Sequence, residues 1–298
     1  MPNHPLISVV IAAKNEADFV KDAVESILAQ DECKVELIFV DDHSTDETVS
    51  IVGGITKNKH DLVLLHNRKS GKCSAFNYGV ESARGDYVCI FAGDDIMPQN
   101  SLRKRLESIQ NLGQDSAIVG LSKLICMSDD KTIDGMIIPR AKGKSSLSGV
   151  SPLMNRKAVE LIFPVPEQLP NEDTWMDLCI IFYDQIQSIH TDIICCKWRH
   201  HSGNSINHML TFEEFSTRLA VRLEAYSLFE KMNTDKLSDK NRRQIRARVK
   251  CEAARRAGSI SGILLSGCPT IHKLRMFSSG NRFLYSIRSS LYRVFSGW

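Results

Sequence analysis

Carboxylates recur at three places where an apolar run ends. Ile7 to Ala12 runs into Ala13, Lys14, Asn15 and Glu16; Val35 to Val40 runs into "DDHSTDE", with Asp41, Asp42 and Asp46; Tyr87 to Phe91 runs into "AGDDIMP", with Gly93, Asp94 and Asp95. Adjacent carboxylates repel each other unless a cation sits between or beside them, so such a gathering suits a divalent metal or a cationic ligand. An isolated acid before a helix is equally an N-cap, and Ser44 or Asp46 reads that way. Further on, "NED" places Glu172 and Asp173 at a helix start, where a carboxylate either complements the helix dipole or takes a proton from a bound hydroxyl. "WRHHSGNS" adds Arg199, His200 and His201, residue types that hold phosphate or metal.

What would bring these residues together is the pattern around them. The first 115 residues alternate short β-rich runs with helical spacing: strands at 7–12, 35–40, 62–65 and 87–91, helices at 16–29, 46–56, 73–83 and 101–111. Such alternation predicts a mainly parallel sheet flanked by helices, whose strands end at one edge, and clefts in these sheets open beyond the carboxyl ends. Strands follow at 117–127 and 135–139, then a Ser-, Gly- and Lys-rich stretch from Lys142 to Gly149 that reads as a mobile loop. Phe163 to Pro170 is proline-rich, Asn171 reads as the cap of the helix that follows, and residues 189–198 return to strand character.

At 298 residues and 43% hydrophobic content the chain can bury a full core. The N-terminus lacks the basic start and apolar run of a signal peptide, and no window holds enough uninterrupted apolar residues to span a bilayer. The expectation is a cytoplasmic protein. Nine cysteines, an odd number without any C-x-x-C spacing, read as reduced thiols and argue against zinc. The net charge of +3 hides an asymmetry: residues 240–298 hold 13 Lys or Arg and one acid, Glu252, so they carry +12 against −9 for the remainder. An excess of that size calls for an anionic partner. In "NRFLYSIRSSLYRVF" the apolar residues form one stripe with arginines around it, a pattern that suits an anionic membrane surface better than nucleic acid, for which no binding module is present. A dinucleotide enzyme is excluded by the lack of G-x-G-x-x-G after any strand, and a P-loop enzyme by the lack of G-x-x-x-x-G-K-[ST].

The ordered set "ISVVIAAKNE", "VDDHSTDET", "NRKSGKCSAFNYGVESARGDYVCIFAGDDIMP", "NED" and "WRHHSGNS" resembles the family 2 glycosyltransferases of the GT-A fold, over roughly residues 5 to 206. The resemblance implies inverting transfer of a sugar from a nucleoside-diphosphate donor, a UDP-sugar in first place, with Mn²⁺ or Mg²⁺. The acceptor it implies is a glycan or polyprenyl-linked sugar in bacterial surface polysaccharide synthesis, which would hold the protein peripherally on the inner membrane face. It places Ala12, Ala13, Asn15, Glu16, Asp41 and Asp42 about the nucleoside. Asn67 and Lys72, with Lys69 and Gly71, flank the nucleotide; Asn77 fits either a binding or a structural role. Gly93 and Asp94 lie in the nucleotide-sugar site, with Asp94 and His201 as metal ligands, Arg199 near the diphosphate or metal and Asp173 as catalytic base. One position departs: family members often read Asp-x-Asp-Asp, and here Ala92 replaces the first Asp. That departure motivates the alternative of a catalytically degenerate sugar-nucleotide-binding or assembly subunit. The expected organisation is a GT-A domain over 1–210, its nucleotide half ending near 115, and a helical, basic region over 211–298.

Overall fold

The computed structural model describes residues 5–57, 61–113, 115–200 and 211–295, with side chains through 288. Four β-branched, apolar segments pair in parallel: β1 (Leu6–Ala13) lies between β2 (Lys34–Asp41) and β4 (Tyr87–Phe91), and β3 (Leu62–His66) lies outside β2. The register aligns Ala13 with Asp41 and Asp41 with His66, so the polar segments that follow these strands leave from one edge. The sheet is extended on the β4 side by β7 (Leu153–Asn155), which runs antiparallel to both β4 and β5 (Ala117–Met127). β5 therefore points the same way as β4. It pairs antiparallel with β6 (Ile137–Ile138) and in parallel with the long β8 (Ile186–Arg199), completing eight strands. All five residues of β4 are buried, as a strand covered on both faces requires.

The covering helices bury the stripes that their spacing predicts. α1 (Val20–Leu28) turns Val20, Ala23, Val24 and Ile27 inward, and α2 (Thr48–Thr56), α3 (Lys72–Ser82), α4 (Ser101–Glu107), α5 (Arg156–Ile162) and α6 (Asp173–Phe182) follow. α1 starts four residues later than its sequence suggests. The amides of Asn15, Glu16 and Ala17 donate to Ser44 Oγ, Thr48 Oγ1 and Asp46 Oδ2 in the β2–α2 loop and at the start of α2, so the chain turns toward that loop first. Both oxygens of Asp46 are used there, the second accepting from Thr48 N at 3.0 Å. The stretch from Lys142 to Gly149, expected to be mobile, is tied down: Gly143 N donates to Asp192, Ser146 N to Ser122 O, and Ser145 Oγ to Thr191 O. All nine cysteines are free thiols, eight of them buried.

The chain divides into two compact units, the first containing residues 5–180 and 185–200, the second 181–184 and 211–295 of those described. In the second unit, α7 (Phe212–Met232) opens with a capping box between Thr211 and Glu214. α8 (Asp239–Arg256), α9 (Ile260–Leu264), α10 (Thr270–Phe277) and α11 (Arg282–Phe295) follow, and Cys251, Ile263, Cys268 and Met276 form a small core. Arg255 is buried in this unit, its fork closed on Glu252 at 2.7 and 2.6 Å and its remaining nitrogen on Ser216 Oγ and Ser279 O.

α3 packs closest to the sheet at Gly79, where an added Cβ would lie 2.3 Å from Val10 Cγ1 and 3.0 Å from Val40 Cγ2. Gly79→Ala should therefore destabilise the first unit by about 1–3 kcal/mol through overpacking, measured as a lowered midpoint of chemical unfolding.

Candidate active site at the carboxyl edge of the sheet

Three loops leave the sheet at this edge, and each is shaped by hydrogen bonds that polar side chains make with backbone amides. After β1, the buried pair Ala12 and Ala13 gives way to Asn15, whose φ of 58° turns the chain and whose Oδ1 accepts from Thr45 N at 2.8 Å. After β2, Asp41 accepts from Ser44 N at 3.1 Å and stands 3.5 Å from the exposed His66 ring. Asp42 is used differently: it accepts from Asn67 Nδ2 at 2.7 Å and from Gly71 N at 2.9 Å. Asn67 also donates to Ser74 Oγ, so Asp42 and Asn67 together lock the β3–α3 loop. Both are among the residues that the resemblance places around the nucleotide.

After β4, Gly93 has no room for a side chain, since a Cβ would come within 2.9 Å of Ala13 Cβ and 3.4 Å of Glu16 Cγ. This closeness sets Glu16 beside the Asp94–Asp95 pair. Burial, and then the charges of Asp94, Asp46 and Asp95, push the Glu16 pKa up to about 7. Asp95 is buried and is likewise pushed up to about 7, by burial first and Asp94 second, against the hydrogen bonds from Arg199 N (2.8 Å) and Cys196 Sγ (3.2 Å). Arg199 clamps the loop: its Nε donates to Asp94 O at 2.9 Å, its Nη2 meets Asp22, and its guanidinium lies over the Phe19 ring. Asp94, part-exposed, is the carboxylate that the loop places beside Glu16. His201 lies outside the described residues.

The second half of the site is indexed along α3. Asn77 and Val165 bond in both directions, Nδ2 to O at 2.7 Å and N to Oδ1 at 2.8 Å, which makes Asn77 structural. One turn earlier, Cys73 Sγ donates to Leu169 O, and at the helix start Lys72 Nζ meets Glu172 Oε1 at 3.2 Å. Burial opposes the Lys72 charge, but attraction to Glu172 and Asp173 outweighs it and raises the Lys72 pKa. The segment 165–172 thus runs back along α3 and delivers Asp173, part-exposed, as the first residue of α6. Asp173 Oδ1 accepts from Thr174 N at 2.6 Å. Asn171 does not cap the helix as its type predicts; its Oδ1 is buried without a hydrogen-bond partner, as is Glu172 Oε2. Glu172 is pressed from the other side by Gly149, where a Cβ would come within 2.8 Å of Oε1.

In the second unit, Cys251, Cys268 and His272 bring their ligand atoms within 4.8 Å of one another. No spacing motif announces this group, because α8, the α9–α10 loop and α10 each contribute one member. Burial and the charges of Arg248 and Arg275 press the His272 pKa down to about 4, a field that opposes a bound cation.

The model of the family described as glycosyl transferase family 2 matches residues 8–150. A glycosyltransferase of Nostoc sp. is 29% identical over 224 residues, 68% of this chain and 66% of that protein. The succinoglycan biosynthesis protein ExoO of Rhizobium meliloti is 35% identical over 117 residues, 39% of this chain and 33% of its own. The chain thus spans from a third to just under two thirds of the length of these relatives. Among solved structures, S. aureus TarS 1–349 in complex with UDP-GlcNAc superposes with a TM-score of 0.60 at 17% identity, over 97% of this chain and 91% of that one. The mannosyltransferase PcManGT from Pyrobaculum calidifontis, in complex with GDP-Man and Mn²⁺, gives a TM-score of 0.59 at 16% identity, over 98% and 81%. These likenesses establish the GT-A fold. With the motifs in family order on strands that end at one edge, residues 8–150 carry the match to glycosyl transferase family 2 that the sequence resemblance predicts.

Proposed function

We propose that the chain is an inverting glycosyltransferase that moves a sugar from a nucleoside-diphosphate sugar, a UDP-sugar in first place, to the hydroxyl of a glycan or polyprenyl-linked acceptor. The observation that carries this reading is the convergence of Glu16, Asp94 and Asp95 at one edge of the sheet, with the structural relatives holding UDP-GlcNAc or GDP-Man with Mn²⁺ as further support. Burial and neighbouring carboxylates push both Glu16 and Asp95 up to about 7, which marks a concentration of negative charge at this edge, and hard oxygen donors suit Mg²⁺ or Mn²⁺. Asp94 would hold such an ion, with His201 as a proposed second ligand; a bound divalent ion neutralises the charge that develops on a departing diphosphate. Asp41 and the Ala12–Ala13 backbone would receive the nucleoside, and Lys72 would offer a cation to the phosphates. Asp173 would take the proton of the acceptor hydroxyl as its oxygen attacks the anomeric carbon and the bond to the diphosphate breaks, which inverts that carbon. Glu172, fixed by Lys72 and Gly149, positions Asp173.

A soluble acceptor is not required by this reading. No helix among the described residues is long and apolar enough to cross a membrane. The second unit nevertheless exposes Ile260, Leu264, Leu265, Ile271 and Leu274 along α9 and α10, with Leu265 at 85%. The two helices are tied where Lys273 donates from Nζ to Leu264 O. No acidic residue follows Glu252 in the sequence. Apolar side chains ringed by positive charge suit the headgroup region of an anionic bilayer, each nearby Lys or Arg contributing about 1 kcal/mol.

Three measurements test these roles. Asp94→Asn should weaken UDP binding in Mn²⁺ without lowering the unfolding temperature, whereas Asp95→Asn, which alters a buried partner of Arg199, should lower that temperature. Equal UDP affinity in Mn²⁺ and in EDTA would remove Asp94 from metal binding. Asp173→Asn should slow transfer by about 10²- to 10⁴-fold with donor affinity unchanged; a parallel loss of donor affinity would make Asp173 structural. In co-sedimentation, the full chain should bind phosphatidylserine vesicles in low salt and leave phosphatidylcholine vesicles in solution, and Leu264→Ser with Leu265→Ser should reduce binding at least about tenfold. Indifference to lipid charge defeats the membrane assignment.

A further inference from the structure

Lys123 is a charged residue in the middle of the otherwise apolar strand β5, and it is buried. Its Nζ meets Asp192 Oδ1 at 2.8 Å and donates to Ala141 O at 2.8 Å. The pairing of β5 with β8 is irregular at this point alone along its length, with register shifts on both sides of Lys123. The residues displaced from β8 are put to use: Asp192 also accepts from Gly143 N at 3.2 Å, and Thr191 exchanges hydrogen bonds with Ser145. Burying an ammonium costs several kcal/mol even when it is paired, and a bulge forgoes ladder hydrogen bonds. Neither core packing nor the chemistry at the carboxyl edge accounts for that cost.

What the arrangement makes is a cavity of about 510 Å³, open to solvent, lined by Lys123, Arg140, Lys142 and Asp192 with Met136 and Ile137. That is the size range of small-ligand sites. None of these residues belongs to the carboxylate edge. The lining carries three cations against one anion, and among the described residues neither Arg140 nor Lys142 forms an ion pair; Arg140 Nη2 touches only the weak acceptor Met136 Sδ at 3.0 Å. A guanidinium fork and two ammonium groups around one concavity match the charge and donor count of a phosphate group.

We infer that this cavity is an anion subsite that takes a phosphate group carried by the acceptor. The inference rests on the glycosyl-transfer reading and names the chemical class of its acceptor. The chain itself supplies the link: seven residues on from Lys142, at most roughly 25 Å of extended backbone, the strap reaches Gly149, which abuts the Glu172 carboxylate beside Asp173. A phosphate held at one end of the strap orients the same molecule's hydroxyl toward the base at the other.

The full chain, with UDP and Mn²⁺ present so that the donor's own diphosphate position is filled, is titrated by calorimetry at constant ionic strength with inorganic phosphate and, separately, with dihexanoyl phosphatidate below its micelle concentration. Both should bind saturably, and Arg140→Ser with Lys142→Ser, two exposed positions, should weaken both at least about tenfold while UDP affinity stays unchanged. Lys123→Met, checked by its unfolding temperature, should do the same from inside the cavity. Equal phosphate affinity in the native and doubly substituted chains overturns the subsite. Binding of inorganic phosphate without phosphatidate overturns the assignment to an acceptor-borne group. Failure of UDP to bind strikes the glycosyl-transfer reading instead, and is separable because the phosphate titration can be repeated without it.

Discussion

Repulsion among Glu16, Asp46, Asp94 and Asp95 is what the carboxyl edge of the sheet is arranged to withstand. Unit charges a few ångströms apart interact by a few kcal/mol near a protein surface, comparable with a large part of a domain's net stability. The fold meets this with oriented backbone amides and with neutralisation by proton uptake. Ala17 N and Thr48 N donate to Asp46, and Arg199 N to Asp95. The delayed start of α1, the glycine at 93 and the Arg199 clamp follow from holding these acids in place.

Charge is also partitioned between the two units. The last 59 residues, with most of α8 and all of α9 to α11, carry a net +12 and the 239 before them, which include α7 of the second unit, a net −9; the acids that crowd the sheet edge and the bases that crowd α8 to α11 lie on different folding units. Within the second unit the positive charge is managed by a few buried or half-buried pairs, of which Arg255 with Glu252 is the most enclosed. The remaining charge faces outward.

The strands and helices of the first 115 residues were legible because period 2 and period 3.6 patterns are produced directly by burial. Convergence of the three loops followed from parallel pairing. What escaped was set by contacts between residues far apart in the chain. Nothing local distinguishes Asp42, which closes a loop with Asn67, from Asp41 next to it. Arg199 matched a block associated with phosphate, yet its partners, Asp22 and Phe19, lie about 180 residues away in sequence and carry no mark of the contact. Asn171 has the composition of a cap without the geometry of one. Lys123 stood unremarked inside an apolar run because a single lysine in a strand announces neither a bulge nor a cavity.

The hydrogen bonds that lay 165–172 along α3 connect positions 77, 73 and 72 of the helix with 165, 169 and 172 of the returning chain. A helix rises 1.5 Å per residue and does not stretch, so the path of the returning chain from Val165 to Glu172, and with it the position of Asp173, is measured off by a rigid rule rather than by a loop. Lengthening the segment between Val165 and Glu172 by a single residue would leave both its amino acids and the helix intact, yet put every mark on that rule out of alignment. The proline-rich stretch before α6, which by composition resembles a tolerant connector, is on this account among the least tolerant of insertion in the chain.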